Sequence, residues 1–159
     1  MSWGAVWRDV SVFLFGASPL LELRGAIPYA ILVQHMEPWR AFALAAAGNM
    51  LPAPALLLFY EKLAEAADRK RLFGGWLHWW FGRVERKSAL VRGIGPVGLA
   101  LFIGVPLPMT GLWTGAAIAA LLRMSFWRAL AACVAGVLIA GVAVTLLVIA
   151  GVSAFGIAK

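Results

Sequence analysis

Charge is scarce in this 159-residue chain: 13% of its residues are Asp, Glu, Lys or Arg, 63% are hydrophobic, and the mean hydropathy is +0.88. A water-soluble domain of this size has too little interior to hide so much apolar surface, so the composition points to a bilayer. Acids are scarcer than bases, seven against fourteen, leaving a net charge of +7. Such an excess can serve nucleic acid, but eight Trp and long uncharged runs direct it to the anionic face of a membrane, and no nucleic-acid partner is expected. The one cysteine, Cys133, lies in an apolar segment with no partner in the chain, which excludes a disulfide or a thiolate metal site within a monomer. His35 and His78 have no further His, Cys or carboxylate at ligand spacing, so no metal site is expected. The sequence also lacks a nucleophile-base arrangement, a phosphate loop and paired catalytic carboxylates, so neither an enzyme nor a cofactor is expected. Arg8 and Asp9 interrupt the N-terminal run too early for a secretory signal. Residues 1–18 are expected in the mature protein, either as an interfacial helix carrying Trp3, Trp7 and Phe13 or as the first arm of a hairpin.

What is present is a set of apolar segments of two kinds. A hydrocarbon core of about 30 Å needs about 20 helical residues. The uncharged stretches Ala41–Tyr60 and Ala129–Ala158 meet that requirement and predict transmembrane helices over 38–60 and 125–157. Between them, residues 61–92 hold eight Lys or Arg against four acids, with Trp76, Trp79, Trp80 and Phe81 beside them. That pattern predicts a basic, amphipathic cytoplasmic connection anchored on lipid headgroups. The other two apolar stretches are faulty as simple spans: residues 19–36 contain Glu22, Arg24, Gly25 and Pro28, and residues 93–122 contain six glycines with Pro96, Pro106 and Pro108. Backbone that leaves helical geometry at membrane depth is tolerated only against protein or around a wet cavity, so both stretches read as re-entrant hairpins.

An internal repeat links the two sets. "MEPWRAFALAAAG" at 36–48 aligns with "MSFWRALAACVAG" at 124–136, an offset of 88 with seven identities in thirteen positions. If residues 93–122 enter and leave on one side, a single crossing separates Trp39 from Trp127 and the halves are inverted. The charges favour this, because Arg123 and Arg128 then join the basic loop while Arg8 and Arg40 stay outside. The expected fold is an all-α integral membrane protein with an inverted repeat, each half a re-entrant helical hairpin followed by a transmembrane helix.

The segments "PLLELRGAIPYAI", "GNMLPAPALLLF" and "GPVGLALFIGVPLPMTGLWTGA" resemble the motifs of the small multidrug export protein family, a bacterial and archaeal membrane family related to the DedA superfamily. The resemblance covers roughly residues 18–150 and implies a multi-pass protein of the inner (cytoplasmic) membrane. The family name implies drug efflux. The DedA relatives imply transbilayer movement of lipids, notably recycling of undecaprenyl phosphate, with proton coupling. The chain departs from the DedA pattern by lacking extra terminal helices and any ionisable residue between Arg92 and Arg123.

Glu22 is the one carboxylate expected at membrane depth, and a lone acid there is a candidate proton-coupling site. The alternative is an ion pair with Arg24 that pins the hairpin; residues two apart do not face each other on a regular helix, so this too requires a break. Arg24 suits a phosphate bidentately unless it snorkels to the interface, and helix ends near Gly25 and Gly111 would add amide donors to the same anion. Asn49, near Pro52 and Pro54, can bond carbonyls freed by the prolines or a hairpin tip. Thr110, Trp113 and Thr114 follow the Pro-Leu-Pro turn and either line a cavity or pack helices. The reading that joins these is a small transporter of an anionic or amphipathic lipid, with Arg24, Gly25, Asn49, Thr110, Trp113 and Thr114 binding substrate and Glu22 carrying the proton. Its rivals are a proton-coupled exporter of lipophilic cations, which Arg24 would repel, and a non-transporting scaffold. Membrane lipids are the expected partners. Two crossings and two hairpins make a thin wall, so a homodimer is expected too, with Gly136, Ala140 and Gly141 as close-packing positions.

Overall fold

The computed structural model describes residues 3–69, 88, 91, 93–106 and 110–155; these are mostly helical, with no strand among them. The expected aromatic anchor at Trp76, Trp79, Trp80 and Phe81, most of the basic connection, and Pro108 lie outside the described residues.

Helix α1, Trp3–Ala17, ends where Pro19 disfavours helical geometry at Ser18. A turn then returns the chain as α2, Glu22–Pro28. Pro28 offers no N–H, and beyond it the chain makes one π-helical turn, Tyr29–Val33, with the Gln34 N–H donating to the Tyr29 carbonyl at 3.2 Å. The middle of α1 is tied to the end of this turn. The Arg8 guanidinium donates to the Gln34 carbonyl, and the Gln34 amide donates to the Ser11 hydroxyl at 2.8 Å.

Pro38 opens α3, Pro38–Met50, at a position where a missing N–H costs nothing. After a turn at Leu51 and Pro52 the chain continues as α4, Ala53–Arg69. Helix α5, Gly95–Gly104, also starts with a proline in its first turn, and it stops before Pro106. Two further helices follow: α6, Leu112–Leu121, and the 30-residue α7, Phe126–Phe155.

Among the described residues, two stretches are long and apolar enough to cross a membrane, Pro38–Tyr60 with 23 residues and Phe126–Ala154 with 29. Only 33% and 39% of their apolar windows are buried inside the protein. The core helix of a soluble protein would be mostly covered; here Leu138, Val142 and Leu146 of α7 face outward. An apolar surrounding is what such surfaces require.

Helix packing is close because glycines sit at the crossings. Helix α1 lies on α3, where a β-carbon at Gly16 or Gly48 would run into the backbone of Ala45 or Phe13. Helix α5 lies on α7, where one at Gly104 or Gly136 would meet Ile139 or Ile103. Helix α2 also touches α7, and α6 touches α4. Several landmarks recur at the offset of 88. They include Gly16 and Gly104, Gly48 and Gly136, the first residues of α3 and α7, and the left-handed residues His35 (φ 50°) and Arg123 (φ 51°).

Candidate functional site

The charged residues of α2 meet the loop and helix start that precede and open α6. Glu22 stands at the very beginning of α2 in the left-handed region, φ 47°, a conformation that costs a residue with a β-carbon about 1–2 kcal/mol. Its amide donates to the Ser18 carbonyl at 3.0 Å, so the turn is closed by hydrogen bonding at this strained residue. Strain of this kind persists where surrounding contacts over-determine it. Those contacts come from 91 residues away in sequence.

The Glu22 side chain is 9% exposed, and its carboxylate accepts from the backbone N–H of Trp113 at 3.3 Å and from that of Leu112. These are among the first amides of α6, which have no partner within their own helix. Gly111, extended at φ −156°, precedes them without a side-chain cap. A β-carbon at Gly111 would collide with the Glu22 carboxylate. The acid of one helix therefore caps another helix, where its charge also meets the positive end of the α6 dipole.

Arg24, half-buried, reaches the same loop. Its guanidinium donates to the Thr110 hydroxyl at 2.9 Å and to the Val105 carbonyl at 3.3 Å. The Thr110 hydroxyl in turn donates to the Val105 carbonyl at 2.7 Å. Pro106 holds Val105 in an extended conformation, ψ 120°, in which its carbonyl leaves the helix and is free to accept. Glu22 and Arg24 act on each other electrostatically, yet each is anchored by a different part of the 105–113 segment.

The candidate residues thus divide. Glu22, Arg24, Thr110 and the backbone of Trp113 form one connected group. Trp113 makes its contact with Glu22 through its backbone, and its indole N–H is buried without a hydrogen-bond partner among the described residues. Gly25 faces Leu21, whose side chain occupies the space a β-carbon would need. Thr114 is half-buried on α6. Asn49 is 2% exposed at the end of α3, and its Oδ1 accepts no hydrogen bond among the described residues. Repair of carbonyls by the Asn49 amide is thus not accompanied by any bond to its own oxygen. Sequence reasoning passed over the Val105 carbonyl and the contact that Gly111 makes possible. The signals for them are the Val-Pro dipeptide and a glycine directly before a helix.

The chain matches the model of the family described as "Putative small multi-drug export protein" over residues 22–143, a range that opens on Glu22 and includes the whole 105–113 segment. It belongs to the small multi-drug export protein family. With two helices among the described residues long and apolar enough to span, this family member is a membrane protein whose family description points to export. No curated protein and no solved structure matches it.

Proposed function

We propose that this member of the family is a transporter that moves an anionic lipid, or a lipid-linked phosphate of the undecaprenyl phosphate kind, across the bilayer, with protons coupled through Glu22. The observation that supports this is the meeting of Glu22 and Arg24 with the Val105–Trp113 segment, because an acid, a permanent cation and a helix N-terminus converge on one small region. A guanidinium held by neutral acceptors can exchange the Thr110 hydroxyl for a phosphate oxygen, a stronger charge-assisted partner. A carboxylate at membrane depth is a natural proton carrier.

The wider architecture we infer is an inverted repeat. In it α1 with α2, and α5 with α6, are re-entrant hairpins whose tips meet, and each is followed by a spanning segment. The recurrence of glycine contacts and left-handed residues at the offset of 88 supports it. So does the exchange of contacts, in which α2 touches α7 and α6 touches the α4 part of the first span. Placement in the cytoplasmic membrane, relation to the DedA superfamily and homodimer formation belong to the same proposal.

Vesicles holding the purified protein and a fluorescent phosphoprenol test it, with an impermeant quencher reporting which leaflet the label occupies. The native protein is expected to make the inner-leaflet label accessible; Arg24→Ala is expected to abolish this, and Glu22→Gln to abolish the response to a pH gradient. If native protein and both variants behave alike and none moves the label, the proposal is wrong. Efflux of a lipophilic cation that only Glu22→Gln removes would establish the drug-export reading in its place.

A further inference from the structure

Away from Glu22 and Arg24, a second group of ionisable side chains among the described residues lies where α1 meets the start of α3. A cleft of about 130 Å³ there is walled by Arg8, Asp9, His35, Glu37 and Arg40, with Met36 as an apolar side. That is room for roughly four waters at about 30 Å³ each, or for a small polar headgroup. Arg40 and Asp9 form an ion pair at 2.6 Å, and their side chains are 47% and 31% exposed. Exposed pairs of this kind are weak and exchange readily with other partners. Trp3, Trp7 and Trp39, on the same two helices, are all strongly exposed, the placement of side chains that settle at the headgroup level of a membrane.

We infer that this cleft binds a zwitterionic lipid headgroup carrying a phosphate and a primary ammonium. Two arginines and two carboxylates line it, so their formal charges sum to zero. A simple anion entering would meet Asp9 and Glu37, and a simple cation would meet Arg8 and Arg40. A phosphoethanolamine-type headgroup satisfies both signs: its phosphate takes the planar guanidinium donors, and its ammonium donates to the carboxylates. A trimethylated ammonium has the same charge but no N–H to donate. The cluster is also confined to one half of the chain. At the offset of 88, Arg8, Asp9, Glu37 and Arg40 correspond to Pro96, Val97, Ser125 and Arg128, so the other half packs its helices without either acid. The inference does not depend on what the protein transports, since no residue of the Glu22 group takes part.

The test is native mass spectrometry of the delipidated full chain with phosphatidylethanolamine, phosphatidylcholine and phosphatidylglycerol of identical acyl chains. One phosphatidylethanolamine is expected to stay bound about tenfold more than either of the others. Glu37→Gln, a change at an exposed side chain, is expected to bring retention down to the phosphatidylcholine level. Asp9→Asn should do the same, and circular dichroism of both variants checks that the helices persist. Equal retention of the three lipids, a preference for phosphatidylglycerol, or an ethanolamine preference that survives in folded Glu37→Gln would overturn the inference.

Discussion

The Glu22 carboxylate occupies the space where Gly111 would carry a side chain. One residue lies at the start of α2 and the other just before α6, so a single missing methyl group lets two distant parts of the chain interlock. Glu22 gains the Leu112 and Trp113 amides as donors; α6 gains a cap that its own sequence does not supply.

Gly111→Ala should therefore expel the carboxylate and leave either the acid or the α6 amides unsatisfied, a loss of about 1–3 kcal/mol. Thermal unfolding in detergent would register it as a clear drop in Tm. Gly151→Ala serves as the contrast, because nothing lies within 4 Å of its added methyl and alanine favours the helix by about 1 kcal/mol. A Gly111→Ala protein as stable as Gly151→Ala would refute the cap.

The Arg24–Thr110 hydrogen bond should appear as a coupling. In a double-mutant cycle of Arg24→Ala and Thr110→Val, the interaction energy is expected to be about 0.5–3 kcal/mol rather than zero. Additive effects within about 0.3 kcal/mol would mean that the two residues do not share the contact.

Glycines at the helix crossings should differ in what they tolerate. A methyl at Gly48 strikes the Phe13 carbonyl, which is backbone and cannot turn aside, whereas at Gly104 it strikes the Ile139 side chain. Gly48→Ala is expected to cost about 1–3 kcal/mol by overpacking, and Gly104→Ala distinctly less. Unfolding midpoints of the two variants decide the order.

Asn49 separates structural from functional use of a buried amide. Asn49→Leu removes an acceptor that has no partner among the described residues, so stability should rise by about 1 kcal/mol. Should the protein also lose lipid movement in vesicles, the amide serves the substrate. Stability that falls instead would show that the amide holds the α3 end together.

Much of this organisation could be read from the residues, and the reason differs from element to element. The two segments long and apolar enough to span are continuous apolar runs bounded by charge, and length alone marks them. The broken character of 19–36 and 93–122 follows from proline and glycine, whose backbone consequences are local. Harder to read was the partner of each broken segment. Residues 1–18 allowed either a surface helix or a hairpin arm, because Arg8 and Asp9 look equally at home in water; in the folded chain they bond Gln34 and Arg40, and α1 packs on both α2 and α3. The left-handed conformation of Glu22 is invisible in sequence, since a glutamate adopts it only when distant contacts hold it there. The Thr110 hydroxyl was legible as a polar group near a turn, but its pairing with Arg24 spans 86 residues and depends on how two tips approach.

Helix α7 has 30 residues, which at 1.5 Å each makes it about 45 Å long. A hydrocarbon layer is nearer 30 Å thick, so if α7 crosses one it would lean steeply or extend its ends into the headgroups. Since α2 and α5 both rest on α7, a change in that lean would reach both of them. In a bilayer, the thickness of the surrounding lipid would then bear on the place where Glu22 meets α6.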